Sequence, residues 1–372
     1  MTMSIPIIPK VNINVDSQDL RALSPSELET WMIAAGQPKW RASQLLRWMY
    51  ASQPVDSFES MTNLPSSLRS MLSDQTRMKR LKLQKLFTAK DQTVKALLQL
   101  PSGRIIESVL IPSFNHHHQA TRMTVCISSQ VGCAMGCTFC ATGKMGFLEN
   151  LTCGQIVEQV TVMREISQRR FGRDISNVVY MGMGEPLLNY RSVLASLQIL
   201  THPDAVGLSP RRITVSTVGL ARRIRDLADD APRFRLAVSL HSPFESKRSS
   251  IMPVNRSTVT DLTALEPAMR YHTKTTGQKL TFEYCLFRGF NDSSEDAHAL
   301  AQLCHRVHAK VNLIMYNSVP RIDFQRTRES QLNTFMSLLS ERRVTVTVRR
   351  SRGSDIAAAC GQLANQITDR SQ

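Results

Sequence analysis

The chain is poor in acid, poor in aromatics and free of long apolar runs. Only 30 Asp and Glu stand against 46 Lys and Arg, and aromatic residues make up 6% of the 372 positions. No apolar stretch nears the roughly 18–20 residues needed to span a bilayer, so no membrane partner is expected. The opening MTMSIPIIPKVNINVDSQDL lacks a basic stretch followed by a long apolar core and does not read as a secretory signal. No strand-like segment leads into G-x-G-x-x-G or a P-loop, so those two modes of nucleotide binding are not indicated. Internal repeats and low-complexity tracts are missing as well. These absences point to a cytoplasmic globular protein. In that compartment disulfides are rare, and clustered cysteines more often mean metal binding or catalysis.

What the chain has in excess is positive charge. The formal net charge of +16 is spread over stretches such as RMKRLKLQK (77–85), SPRRITV (209–215) and ERRVTVTVRRSRG (341–353). A basic surface of this size favours a polyanion, most often nucleic acid. Plain solvation is the competing account, and the few aromatics leave no obvious platform for stacking bases.

Along the chain, residues 1–18 read as a flexible leader. SPSELETWMIAAG then opens with Ser24 and Glu27 spaced as a capping box, and two more helical patterns follow, KWRASQLLRWMYASQ and LPSSLRSMLSDQ. Together they suggest a small basic helical accessory domain over 19–75. Residues 76–115 alternate apolar and polar side chains around KDQ and PSG, a short antiparallel extension. From there, six strand-like segments alternate with helical ones, which implies a parallel sheet flanked by helices, barrel-like or doubly wound. The run HHH at 116–118 falls in a loop.

Four of the eight cysteines lie between Cys126 and Cys140. Cys133, Cys137 and Cys140 form C-x3-C-x2-C in a loop with Gly132 and Gly136, a spacing that can wrap three thiolates around one soft metal centre. A structural zinc or a fully protein-held iron–sulfur cluster takes four ligands. Three leave one iron open to a small molecule. Cys126 is offset from the trio and lies on the preceding strand, and Cys360 sits alone in AAACGQL. On sequence alone, both also read as small buried core thiols.

The spacing Cx3Cx2C resembles that of radical S-adenosylmethionine (SAM) enzymes. With CISSQVGC, FCATGKMG, YMGMGEPLLNY, SPRRITVSTVG, LAVSLHSP, VNLIMYN and RGSDIAAACGQL in this order, the chain resembles the RlmN/Cfr family of 23S rRNA adenine methyltransferases over roughly residues 20–368. The resemblance implies an α/β fold, a partial (βα)6 TIM-like barrel with a small N-terminal accessory domain. The barrel would span 116–350, and 351–372 would carry a methyl-carrier cysteine.

The same resemblance implies a [4Fe–4S] cluster, one per chain, on Cys133, Cys137 and Cys140, and two SAM molecules per turnover. Gly184 and Glu185 would hold the SAM amino group, while Ser216, Ser239, Leu240, His241 and Asn317 would line the rest. Most of these close or follow predicted strands, where barrel active sites lie. Cys360 would be methylated by one SAM, a radical from the second would activate that methyl for addition to adenine, and Cys126 would release the product as a disulfide forms. Glu107 matches a proton acceptor, a task that desolvation of its carboxylate would favour. Arg349, Arg350 and Arg352 could lower the Cys360 pKa. The implied substrate is 23S rRNA and also tRNA, methylated at adenine carbon 2, with carbon 8 of the same base as the alternative. An external one-electron reductant such as flavodoxin or ferredoxin, and a monomeric state, complete the expectation. A zinc-stapled RNA-binding protein without catalysis is the reading from another class.

Overall fold

The computed structural model describes residues 18–50, 54–256, 260–320 and 322–363. The expected leader therefore lies, Gln18 apart, outside the described residues. Helix α1 (Pro25–Ala34) begins where the Ser24 hydroxyl accepts from the Glu27 N–H and the Glu27 carboxylate accepts from the Ser24 N–H at 2.9 Å. The capping box read from the sequence is thus present. Helices α2 (Arg41–Tyr50) and α3 (Ser66–Gln75) follow, and Leu28, Leu45, Met49, Leu68 and Leu72 bury their apolar faces in the main core.

One ten-stranded sheet organises the remainder. Its strands are β1 (Lys82–Thr88), β2 (Val94–Gln99), β3 (Ile105–Phe114), β4 (Ala120–Cys126), β5 (Asn177–Tyr180), β6 (Ile213–Thr217), β7 (Arg235–Ser239), β8 (Leu280–Leu286), β9 (Ala309–Met315) and β10 (Val346–Arg349). Their order across the sheet is their order in the chain. Strands β1 to β4 pair antiparallel, and every pair from β4 to β10 is parallel. Parallel neighbours need crossovers, supplied by α4 (Cys153–Phe171), α5 (Tyr190–Thr201), α6 (Ala221–Asp230), α7 (Leu262–Thr276), α8 (Ser294–Val307) and α9 (Glu329–Glu341). Six β/α units and a final strand make a partial barrel, with the helical accessory part ahead of it.

Two features were not anticipated. The antiparallel strands continue the parallel sheet edge to edge rather than forming a separate layer. The basic run at 341–353 contains β10, a seventh parallel strand. The sheet stays open between β1 and β10, and the segment after β10 crosses that gap. There, Gly353 N–H donates to Asp91 Oδ2 at 3.1 Å, and Lys90 N–H donates to Asp355 Oδ2 at 3.0 Å.

The accessory helices are fastened to α4 by a buried charge pair. Arg21 and Glu158 are each 1% exposed and lie 2.6 Å apart, and Arg21 also donates to the Met49 carbonyl at 2.7 Å. Arg80 reaches the other Glu158 oxygen at 2.5 Å. Removing one partner strands the other in low dielectric, so Glu158→Ala is expected to cost about 3–5 kcal/mol in urea unfolding. The accessory helices should become protease-sensitive before the barrel. A loss below about 1 kcal/mol, typical of a surface pair, would show the contact to be incidental.

Candidate active site

The loop after β4 is pinched at its base by a short antiparallel pair, Gln130–Gly132 with Phe147–Asn150. Gly132 has φ 70°, and a Cβ there would fall 1.9 Å from the Gly146 carbonyl oxygen, so only glycine fits. Cys133 N–H donates to that same oxygen at 2.8 Å, and Thr138 N–H to the Ile251 carbonyl at 2.9 Å. So held, Cys133, Cys137 and Cys140 border one cavity at the C-terminal ends of the parallel strands. Burial pushes the Cys133 thiol up to about 12 and raises Cys137 as well, so thiolates here call for a compensating cation. Three thiols on a shared volume suit a multinuclear centre better than a lone zinc.

The facing wall of this cavity carries Gly184, Glu185, Ser216, Ser239 and His241. Glu185 is buried and accepts from Val218 N–H at 2.8 Å and Leu187 N–H at 3.0 Å. Burial still pushes its carboxyl up to about 7, with those two N–H groups pulling the other way. Its own N–H donates to Gln130 Oε1 at 2.8 Å. His241 is held near 3 by burial, so it is neutral. Its Nδ1 accepts from Cys285 N–H at 3.0 Å, which leaves the proton on Nε2. Two expected residues lie elsewhere. Leu240 is fully buried and borders neither cavity of the barrel. Asn317 borders the second cavity and donates to the Cys360 carbonyl at 3.5 Å.

That second cavity occupies the barrel below the first, and Cys360, Glu283, Arg349, Met181 and Ile314 border both. Cys360 is accessible, yet its open surface faces these cavities. Burial raises its thiol, against the pull of Arg349. Of the three arginines expected to activate it, Arg349 acts, and burial outweighs it. Cys126 ends β4 as a buried thiol, pushed up to about 12 by burial, with Arg349 opposing and Cys360 adding to the rise. The two free cysteines, 234 positions apart, are thus electrostatic neighbours around one guanidinium. Burial opposes charge on Arg349, but Cys360, Glu283 and Cys126 hold it above the ordinary arginine range.

Glu107 lies on β3, buried, with the Lys95 ammonium 3.7 Å away. In register, Cys126 faces Val109 and Val109 faces Lys95, so these residues and Glu107 share the sheet's inner face. Sequence reasoning passed over Lys95, Glu283 and Gln130. A signal existed for two of them. VKALLQ and KLTFEYCLF each place one charged side chain inside an apolar strand, and buried charges are rare unless paired.

An open barrel of β/α units with three cysteines in the loop after its first parallel strand defines a radical-SAM enzyme, and the Radical SAM superfamily profile matches residues 127–301. The profile of the ribosomal RNA large subunit methyltransferase N-terminal domain matches residues 18–78. The probable dual-specificity RNA methyltransferase RlmN of Salinibacter ruber is 52% identical, over 95% of this chain and 96% of that protein. The dual-specificity RNA methyltransferase RlmN of Nitratidesulfovibrio vulgaris is 42% identical, over 93% of this chain and 94% of its own length. The crystal structure of a radical SAM methyltransferase from Sphaerobacter thermophilus superposes with a TM-score of 0.84 at 41% identity, covering 93% of this chain and 99% of that one. The chain belongs to the RlmN family of radical-SAM RNA methyltransferases. That membership brings SAM and a [4Fe–4S] cluster, which the donor chemistry of the three thiols fits.

Gly184 has φ 95°, and a Cβ there would meet the Gln130 Cβ at 2.5 Å. Gly184→Ala would displace Gln130 and release the Glu185 backbone. SAM affinity, measured by equilibrium dialysis, should fall more than about tenfold, and the unfolding midpoint should fall with it because alanine is strained at this φ. Unchanged affinity would show that this turn does not shape the SAM site.

Proposed function

We propose that this chain methylates carbon 2 of an adenine in 23S rRNA and in tRNA, by a relay between two cysteine sulfurs. The observation that carries the reading is the placement of Cys360 on the cavity of Cys133, Cys137 and Cys140, within electrostatic reach of Cys126 through Arg349. The relatives named dual-specificity RNA methyltransferases support carbon 2 and two RNA substrates over carbon 8. The second cavity adds support for a polyanion. Arg122, Arg235, Lys310, Arg350 and Arg352 line it, and Glu283 is the one acid among its lining residues.

In this reading, Cys133, Cys137 and Cys140 hold one [4Fe–4S] cluster, and Gly184, Glu185, Ser216, Ser239 and His241 orient SAM. When bound, these groups supply a transferable methyl and, after one-electron reduction, a radical that abstracts hydrogen; two SAM are used per turnover. Cys360 loses its proton and takes the methyl on sulfur. After one hydrogen atom leaves that methyl, its carbon bonds to adenine carbon 2 and joins RNA to Cys360. Glu107 takes the proton from carbon 2, and the electron released with it would be taken up by the cluster that Cys133, Cys137 and Cys140 would hold. The Cys126 sulfur, as thiolate, then attacks the Cys360 sulfur and breaks its bond to carbon, which takes up a proton to become the product methyl. The resulting Cys126–Cys360 disulfide needs two electrons from an external carrier of the flavodoxin or ferredoxin kind. Leu240 supports the wall from the core, and Asn317 steadies the Cys360 backbone. The protein would work as a cytoplasmic monomer.

Mass spectrometry of digested rRNA and tRNA, from cells with and without the gene, should locate the methyl at carbon 2. Cys360→Ala should abolish it. Cys126→Ala should trap a protein–RNA adduct that survives denaturing electrophoresis, and an RNA-free Cys126→Ala protein would refute the relay.

A further inference from the structure

The relay needs Cys360 and Glu107 to meet the same adenine, yet they arrive by unrelated routes. Cys360 follows β10 at one edge of the open sheet. Glu107 sits on β3, close to the other edge. One side chain touches Glu107 and the segment that carries Cys360. Lys95 Nζ on β2 donates to the Ala357 carbonyl at 3.2 Å, three residues before Cys360, and lies 3.7 Å from Glu107 Oε2. Lys95 is 4% exposed and Glu107 1%. A buried ammonium needs such partners, because an unpaired charge there is strongly unfavourable. We infer that Lys95 is a positioning residue that sets the Cys360 segment and the Glu107 carboxylate in one register, so that sulfur and proton acceptor face the same carbon of the substrate. The inference rests on the relay proposed above.

The two contacts of Lys95 differ in kind, one a hydrogen bond to a backbone carbonyl and the other a charge pair. The Cys360 segment has further anchors on both sides. Gly353 and Asp355 bind the β1–β2 turn, Ala141 N–H donates to the Gly361 carbonyl at 2.8 Å, and Thr142 Oγ1 to the Leu363 carbonyl at 2.6 Å. Losing the bond to Ala357 therefore leaves the segment seated. At Glu107 the contact brings a positive charge to within 3.7 Å of the carboxylate that the relay uses. A neutral side chain of similar length should spare methyl loading of Cys360 and slow the later proton removal. Asp91 binds Gly353 and not Glu107, so its removal tests the loss of a segment anchor alone.

The test uses the full chain, reconstituted anaerobically and given SAM, reductant and a transcript of the target rRNA hairpin. Lys95→Met should keep Cys360 methylation near the wild-type level by peptide mass. Its turnover should fall about tenfold or more, with a matching rise in denaturation-resistant protein–RNA adduct. Lys95→Arg, which keeps the charge, should recover turnover to within about threefold of wild type. Asp91→Ala, which removes one anchor of the segment and leaves the others in place, should keep methyl loading near the wild-type level and accumulate no adduct. Wild-type turnover in Lys95→Met would overturn the inference. So would lost turnover with no trapped adduct, or failure of Lys95→Arg to recover any of it. Cys126→Ala separates the two levels. If it traps RNA and Lys95→Met does not, only the role of Lys95 falls; if neither traps RNA, the relay itself falls.

Discussion

The site depends on one crossing, the passage of residues 352–363 from the free edge of β10 to the hairpin at the far end of an open sheet. Most of the polar groups around the upper cavity sit at or just beyond the ends of parallel strands, where sheet pairing fixes them. Cys360 has no such support. It follows a single turn of 3-10 helix, Ser354–Ile356, and hangs between two sets of hydrogen bonds. One set reaches back to Lys90, Asp91 and Lys95. The other reaches forward to Ala141 and Thr142, immediately after Cys140. A single such bond contributes about 0.5–1.5 kcal/mol, so the segment is held by their number and their placement on both flanks.

Charge inside the barrel is arranged differently from charge outside it. The chain carries an excess of sixteen positive charges, but the two cations beside the relay residues are matched. Arg349 lies with Glu283 and the two thiols, and Lys95 with Glu107. Glu283 is itself raised by burial, with Arg349 and the Asn312 amide, 2.8 Å away, drawing it back. Part of the surplus sits at the rim, where Arg122, Arg235 and Arg350 are exposed. A balanced interior limits the desolvation cost of burial, while an unbalanced rim attracts phosphate at a distance.

Local features were readable from the residues themselves. The capping box at Ser24 and Glu27, the cysteine loop after a strand and the alternation of strands with helices all rest on near-neighbour chemistry. Their positions in the structure follow directly. What could not be read depends on non-local pairing. The strands around KDQ and PSG were legible as strands, but nothing in them says that they extend the barrel sheet. VTVTVRR carries a strand's alternation under a basic composition, and the charge drew attention away from β10. The proximity of Cys126 and Cys360 follows from closure of the sheet by the last segment, which no spacing encodes. Leu240 shows a related limit. It lies between two cavity residues, and alternation along the chain turns it into the core.

The hairpin of β3 and β4 separates a fixed end from a free one. Glu107, Val109 and Cys126 occupy the end remote from the tip formed by residues 115–119; Ser113 and Arg122, nearer that tip, border the second cavity, and a register irregularity lies between Ser113 and Phe114. That irregularity absorbs a change in loop length before it can slip the pairing of Val109 with Cys126. The histidine-bearing tip is therefore where this chain can lengthen or shorten over evolution, or accept a spliced-in peptide, while its reactive groups keep their alignment.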